Sequence, residues 1–259
     1  VLDIENIRVQ FGDFVAVNDV SLHVQAGTIT GLIGPNGAGK TTLFNTITGF
    51  RKPIAGRVRL AGDDITALPP HQLFAKGAVR TFQIAHEFAS LTVRENLMVV
   101  PAGQSGERIV QSWINRVRIR REEAGVRKQA DEVIDFLELR DVADLPAGKL
   151  SGGQKKLLEL GRTMMTKASL VFLDEIGAGV NRTLLKRIGD SIRHLNEREG
   201  VTFFLIEHDM AFVSRLCDPV ICMAEGRVLA EGSMDDIVCN DDVIQAYLGA
   251  KSAQQKDTG

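Results

Sequence analysis

No apolar run in the 259 residues approaches the roughly 20 needed to cross a bilayer as a helix, so a membrane role would have to rest on other chains. Cysteine is scarce. Cys217, Cys222 and Cys239 are odd in number and lack the paired C-x-x-C spacing of a zinc site; they argue against a disulfide scaffold and suit a reducing compartment. Neither charge is in surplus: a net charge of −2 and a pI near 6.3 leave no basic footprint, so nucleic acid is not an expected partner. The sequence opens without a basic, then apolar, then small-residue leader, and it has no internal repeat. These absences together predict a cytoplasmic protein.

What is present is an ordinary globular composition, 44% hydrophobic and 25% charged, enough for one substantial core and an added lobe. Disordered and fibrous classes are excluded. Val20, Leu22 and Val24 alternate with polar residues, as do Val58 and Leu60, which predicts half-buried strands of an N-terminal antiparallel sheet. Short apolar runs at 28–33, 170–173 and 201–206 end in Gly, Asp-Glu and Glu-His, the pattern of buried parallel strands with chemistry at their C-terminal ends. Val126, Ala130, Val133, Ile134 and Leu137 recur at helical spacing, as do Leu184, Leu185, Ile188, Ile192 and Leu195. From about 83 to about 157 no clear strand is visible, which predicts an inserted helical lobe. Six basic residues between Arg116 and Lys128 read as a solvated helical face, or else as a surface near lipid headgroups or a membrane partner.

Gly34-Pro35-Asn36-Gly37-Ala38-Gly39-Lys40-Thr41 fits G-x-x-x-x-G-K-[ST], in which glycines let the backbone wrap phosphate oxygens, Lys40 supplies charge to the β and γ phosphates, and Thr41 ligates magnesium. Leu43, Phe44 and Ile47 continue as a helix after an apolar strand, as that mechanism needs; Thr42 joins the nucleotide-binding set. More than a hundred residues later, Ser151-Gly152-Gly153-Gln154 has the spacing of a helix capping box with two bare glycines, a second helix start that attracts phosphate. Asp174 ends an apolar run where a carboxylate could hold magnesium or its water shell, although adjacent acids at a strand end also suit solvation or a helix cap.

At this point the chain resembles the ATP-binding subunits of ABC transporters, in which the phosphate loop of one subunit and the signature run of the other enclose ATP. The resemblance extends over nearly the whole sequence. It implies an α/β fold: a phosphate-loop NTPase core with a mostly parallel sheet and flanking helices, an N-terminal antiparallel β subdomain and an inserted α-helical subdomain. The corresponding boundaries are 1–82 with 158–250 for the core, 83–157 for the helical subdomain and 251–259 for a flexible tail. It also implies Glu175 as the general base, His208 as the switch histidine contacting the γ phosphate, and Gln83 as the hinge glutamine that reaches the metal. A lone histidine is more often structural, as expected of His23, His71, His86 and His194, and Gln83 without this context would be an exposed loop amide. Phe11, with Phe14 secondary, sits where the family has its adenine-stacking aromatic, though most phenylalanines are core. ATP and Mg2+ are the implied cofactors. The family's usual proline after the acidic pair is Ile176 here, and Asn181 stands at the end of that loop, where it keeps a cross-subunit hydrogen bond without a charge.

Residues 31–49, 64–71, 80–83 and 206–210, with Cys217-Asp218-Pro219, further resemble the longer ATPase subunit of branched-chain amino acid importers. That branch implies two membrane permeases, a second similar ATPase in a heterodimer or alternatively a homodimer, and an extracytoplasmic solute-binding protein. It places the chain on the cytoplasmic face of a bacterial or archaeal inner membrane. Urea, amide and aromatic-acid importers share the pattern, and lipopolysaccharide export is a nearby relative. A soluble ABC ATPase acting on ribosomes or DNA would bring paired ATPase units, zinc cysteines or long coiled coils; a small-molecule kinase would leave the signature run and His208 unexplained.

Overall fold

The computed structural model describes residues 1–81, 87–101, 116–166 and 168–256. The chain forms two compact units, residues 1–80 with 169–259, and residues 81–168. In chain order the first unit begins with β1 (Leu2–Phe11), β2 (Phe14–Val24), β3 (Ile29–Ile33), α1 (Lys40–Ile47), β4 (Ala55–Leu60), β5 (Asp63–Asp64), α2 (Pro70–Ala75) and β6 (Ala78–Arg80). The second unit contributes α3 (Val93–Met98), α4 (Arg116–Phe136) and α5 (Gly152–Met164). The first unit then resumes with β7 (Leu170–Asp174), α6 (Arg182–Glu199), β8 (Thr202–Ile206), α7 (Met210–Leu216), β9 (Val220–Ala224), β10 (Arg227–Gly232), α8 (Met234–Val238) and α9 (Asp241–Lys256).

Alternation builds the smaller sheet, antiparallel in the order β2-β1-β4-β5. Val20, Leu22 and Val24 on β2 and Val58 and Leu60 on β4 turn inward as their spacing requires. The larger sheet runs β10-β9-β3-β8-β7-β6, parallel throughout except for the β9–β10 pair. Every residue of β3, β7 and β8 is buried, which is why these strands read as unbroken apolar runs. Phe44 of α1 packs edge-on against Phe172 of β7, with ring centroids 5.6 Å apart, and tilts against Phe204 of β8 at 4.9 Å. These rings fasten the helix that follows the phosphate loop onto the strands that carry Asp174 and His208 at their ends.

In the second unit, Thr92 opens α3 with a capping box to Glu95. Asn96 is fully buried yet satisfied, accepting from the Phe88 amide and donating to the Phe88, Leu91 and Thr92 carbonyls. Gly161 lets α5 approach Leu97, Val133 and Leu137 so closely that an added Cβ would lie 2.9–3.1 Å from them. Helix α5 is continuous across the expected 157/158 division, because Ser151 starts it and nothing interrupts it before Met164. The expected 82/83 division falls at residues outside the described ones. At the C-terminus, α9 continues across the expected 250/251 division as far as Lys256.

Candidate functional site

The loop after β3 is shaped by its glycines. Gly34 (φ 147°) and Gly39 (φ 94°) are left-handed and crowded: a Cβ would meet the Met223 carbonyl oxygen at 2.0 Å and the Ala16 carbonyl oxygen at 2.4 Å respectively. Gly37 (φ 80°) is left-handed in open space. Lys40 folds back over the loop, its Nζ donating to the Gly34 and Pro35 carbonyls at 2.8 and 3.0 Å. Burial pushes its ammonium below the ordinary lysine value, opposed by the charge of Glu175 and then Cys222 and Asp174. Thr41 is exposed at the start of α1.

Beyond β7 the chain turns sharply. Glu175 adopts φ 49°, a left-handed conformation that costs a non-glycine residue about 1–2 kcal/mol. Its amide still donates to the Ile206 carbonyl at the end of β8. The Glu175 carboxylate lies 2.9 Å from Nε2 of His208, with the two side chains 22% and 45% exposed. Behind them Glu207, 3% exposed, accepts from the Gly177 amide at 2.7 Å and so holds the loop that has Ile176 where a proline was expected. Asn181 caps α6 by accepting from the Leu184 amide.

Asp174 is 5% exposed and accepts from Arg80 Nη2 at 2.6 Å. Arg80 carries no signal in the linear sequence beyond its place in the Arg80–Gln83 run; its contacts become visible only when β6 is laid beside β7. Among the described residues no cluster of three or more His, Cys, Asp or Glu could cage a metal by itself.

One open cleft of about 280 Å³ brings the candidates together: Phe11, Phe14, Ala16, residues 36–42, Glu175 and His208 line it. Phe11 is 44% exposed rather than core, and the Arg51 guanidinium stacks on its ring 3.7 Å from the centroid. Ser151 and Gln154 form the expected reciprocal capping box in the second unit, with Gly152 exposed and open around its Cα. Gln83 and His86 lie outside the described residues. Of the other histidines, His23 pairs with Asp3 at 2.6 Å. Cys217 and Cys222 are buried, Cys239 is exposed, and all three are free thiols.

Residues 17–178 match the family described as ABC transporter, and residues 227–253 match one described as branched-chain amino acid ATP-binding cassette transporter. A probable branched-chain amino acid transport ATP-binding protein LivG of Archaeoglobus fulgidus is 41% identical over 254 residues, 98% of this chain and 97% of that one. The high-affinity branched-chain amino acid transport ATP-binding protein BraF of Pseudomonas aeruginosa is 38% identical over 96% of this chain and 98% of its own. Among solved structures, the ADP conformation of an ATP-binding cassette of an ABC transporter superposes with a TM-score of 0.81 at 38% identity, covering 96% of this chain and 98% of that chain. A nucleotide-free cassette from an ABC transporter gives the same score and identity over 95% and 98%.

Proposed function

Since the chain belongs to the ABC transporter ATP-binding family, we propose that it is the ATP-hydrolysing subunit of an importer for branched-chain amino acids or related small solutes. The names of its relatives support the solute class. The single observation that carries the reading is the cleft in which the phosphate loop, two exposed phenylalanines, Glu175 and His208 meet. Phe11 would stack on the base, the amides of residues 36–42 and Lys40 would bind the phosphates, and Glu175 would take a proton from the attacking water while His208 holds the γ phosphate.

Magnesium fits the donors present. It prefers hard oxygens and is usually bound through one or two carboxylates plus substrate phosphates, and the exposed Thr41 hydroxyl and the Asp174 carboxylate are of that kind. Thr41, Asp174 and Gln83 would hold it; when bound it neutralises phosphate charge.

The bare helix start at Ser151-Gly152-Gly153-Gln154 is the second phosphate-seeking element, and in this reading it serves the ATP of another ATPase subunit in a head-to-tail dimer. A heterodimer with a second, similar ATPase is the expected form. No described helix is long and apolar enough to cross a membrane. In this reading two permease subunits supply the path, this chain sits on their cytoplasmic side, and a separate solute-binding protein delivers cargo. The test is to tag this chain in its native cell, purify it gently from solubilised membranes and identify its companions by mass spectrometry. Two permeases and a second ATPase are expected. Recovery only from the soluble fraction, with ribosomal or DNA-repair proteins, would overturn the transport reading.

A further inference from the structure

Arg80 is the last residue of β6 and the last of the first unit; Thr81 begins the second. Its guanidinium is nearly buried, 10% exposed, and uses its two terminal nitrogens on three partners. Nη2 donates to Asp174 Oδ2 at 2.6 Å, while Nη1 donates to Asn45 Oδ1 at 2.7 Å and to Thr48 Oγ1 at 2.9 Å. Asn45 lies on α1 and Thr48 is its C-terminal cap, so both belong to the helix that the phosphate loop opens. Thr48 donates its own proton to the Phe44 carbonyl, which leaves its oxygen to accept from Arg80. The aromatic rings of Phe44 and Phe50 flank the guanidinium at 6.0 and 5.4 Å. A single cation therefore bridges the phosphate-loop helix and the acidic end of β7.

Stability alone does not account for this arrangement. A buried ion pair recovers little net free energy after desolvation, and an apolar side chain of similar volume is often tolerated in its place. Arg80 Nε, moreover, is buried and has no hydrogen-bond partner among the described residues, a further cost. What the fork supplies is geometry. Nη2 fixes the Asp174 carboxylate by one oxygen, Oδ2, leaving Oδ1 without a described donor, while Nη1 of the same rigid plane ties that position to α1.

We propose that Arg80 is a positioning residue of the nucleotide site: it locks the Asp174 carboxylate to the phosphate-loop helix, so that the loop and the metal-seeking acid keep one mutual geometry. The inference rests on the ATPase reading given above. Arg80 also adds a positive charge beside a cation site, so its removal disturbs orientation without weakening cation attraction. The loss should therefore appear in kcat and not in binding.

The test uses the full chain carrying Arg80→Met, Arg80→Lys, Asp174→Asn and the Arg80→Met/Asp174→Asn pair. Arg80→Met is expected to lower kcat about 10- to 100-fold, as loss of a partner that orients a metal-seeking ligand does. KM for Mg-ATP and the affinity for a fluorescent ATP analogue in EDTA should stay within about threefold, since those report the phosphate loop itself. Arg80→Lys, a point charge without a fork, should recover only part of kcat. In the Asp174→Asn background, single-turnover rates should show little additional effect of Arg80→Met, because Arg80 acts through that carboxylate. Unchanged kcat, an equal further loss in the Asp174→Asn background, or a matching loss of metal-free nucleotide affinity would each overturn the proposal. If the unaltered chain, assayed with the partner ATPase that co-purifies with it, lacks Mg-dependent hydrolysis, the ATPase reading itself falls and the inference with it; normal hydrolysis by that assembly alongside an insensitive Arg80→Met would overturn the inference alone.

Discussion

Nε2 of His208 and Oε1 of Glu175 lie 2.9 Å apart across the cleft, joined from the ends of two parallel strands. The left-handed backbone at Glu175 and the half-exposed imidazole together aim both groups into the space beside the phosphate loop. His208→Ala should therefore lower kcat by roughly 10²- to 10⁴-fold, the range for a positioned proton-transfer or phosphate-contacting group, with ATP affinity nearly unchanged. Steady-state hydrolysis and nucleotide titration check this together; a variant with normal kcat would remove His208 from the reaction.

Two glycines of the phosphate loop should differ sharply. Gly34→Ala drives a methyl to 2.0 Å from the Met223 carbonyl oxygen, so the loop and β9 must separate. Gly37→Ala meets nothing within 4 Å and carries only the left-handed backbone penalty, about 1 kcal/mol. Urea denaturation should show Gly34→Ala losing several times more stability than Gly37→Ala. Equal losses would mean that the crowding at Gly34 is relieved by the loop without cost.

The stack of Arg51 on Phe11 leaves an exposed ring for the base. Phe11→Ala should weaken ATP binding by about 1–2 kcal/mol, roughly tenfold, whereas Phe11→Tyr should bind nearly as well. Because stacking is tolerant of base identity, the preference for ATP over GTP should move little. Titration with fluorescent analogues of both nucleotides measures it; a loss confined to one base would contradict a stacking role.

How much of this was readable from the linear sequence depends on distance along the chain. The phosphate loop, the Ser151–Gln154 box and the buried strands are local patterns: spacing and alternation act within a few residues, and the structure follows them. The bridge from Arg80 to Asp174 joins residues 94 apart, and Glu207 reaches Gly177 across 30. Those contacts exist because β6 lies beside β7 and β7 beside β8 in one register, Arg80 opposite Phe172 and Asp174 opposite Ile206. No local signal encodes strand neighbours, so Arg80 stood in the sequence only as one letter of a motif. Asn181 shows the opposite limit: its place after the acidic loop was legible, but its use as the cap of α6 needed the backbone around it.

Burial pushes the Cys217 thiol up to about 12, with Glu207 adding to it, and the Cys222 thiol up to about 11 against the pull of Lys40. Native chains should thus react with iodoacetamide at Cys239, the exposed thiol, and spare the other two. The sign of the stability effect follows: unfolded thiols titrate near 9.0, while the folded ones keep their protons to higher pH. Stability from these groups is intact below pH 9 and falls as pH rises to about 11 for Cys222 and about 12 for Cys217, by up to about 1.4 kcal/mol per pH unit for each thiol. Denaturation midpoints at pH 8, 9 and 10 should converge in a Cys217→Ala/Cys222→Ala chain relative to the unaltered one. An identical alkaline decline in both would assign it to other groups.

The most direct measurement is the mass in solution of the Glu175→Gln chain, with its partner ATPase when one co-purifies, in ATP and in ADP by light scattering. Binding without hydrolysis should trap the nucleotide between two subunits, giving a two-subunit particle in ATP that dissociates in ADP, alongside turnover reduced nearly to zero. A mass that does not respond to ATP, together with normal hydrolysis, would contradict both Glu175 as the base and ATP as the joint of a paired machine.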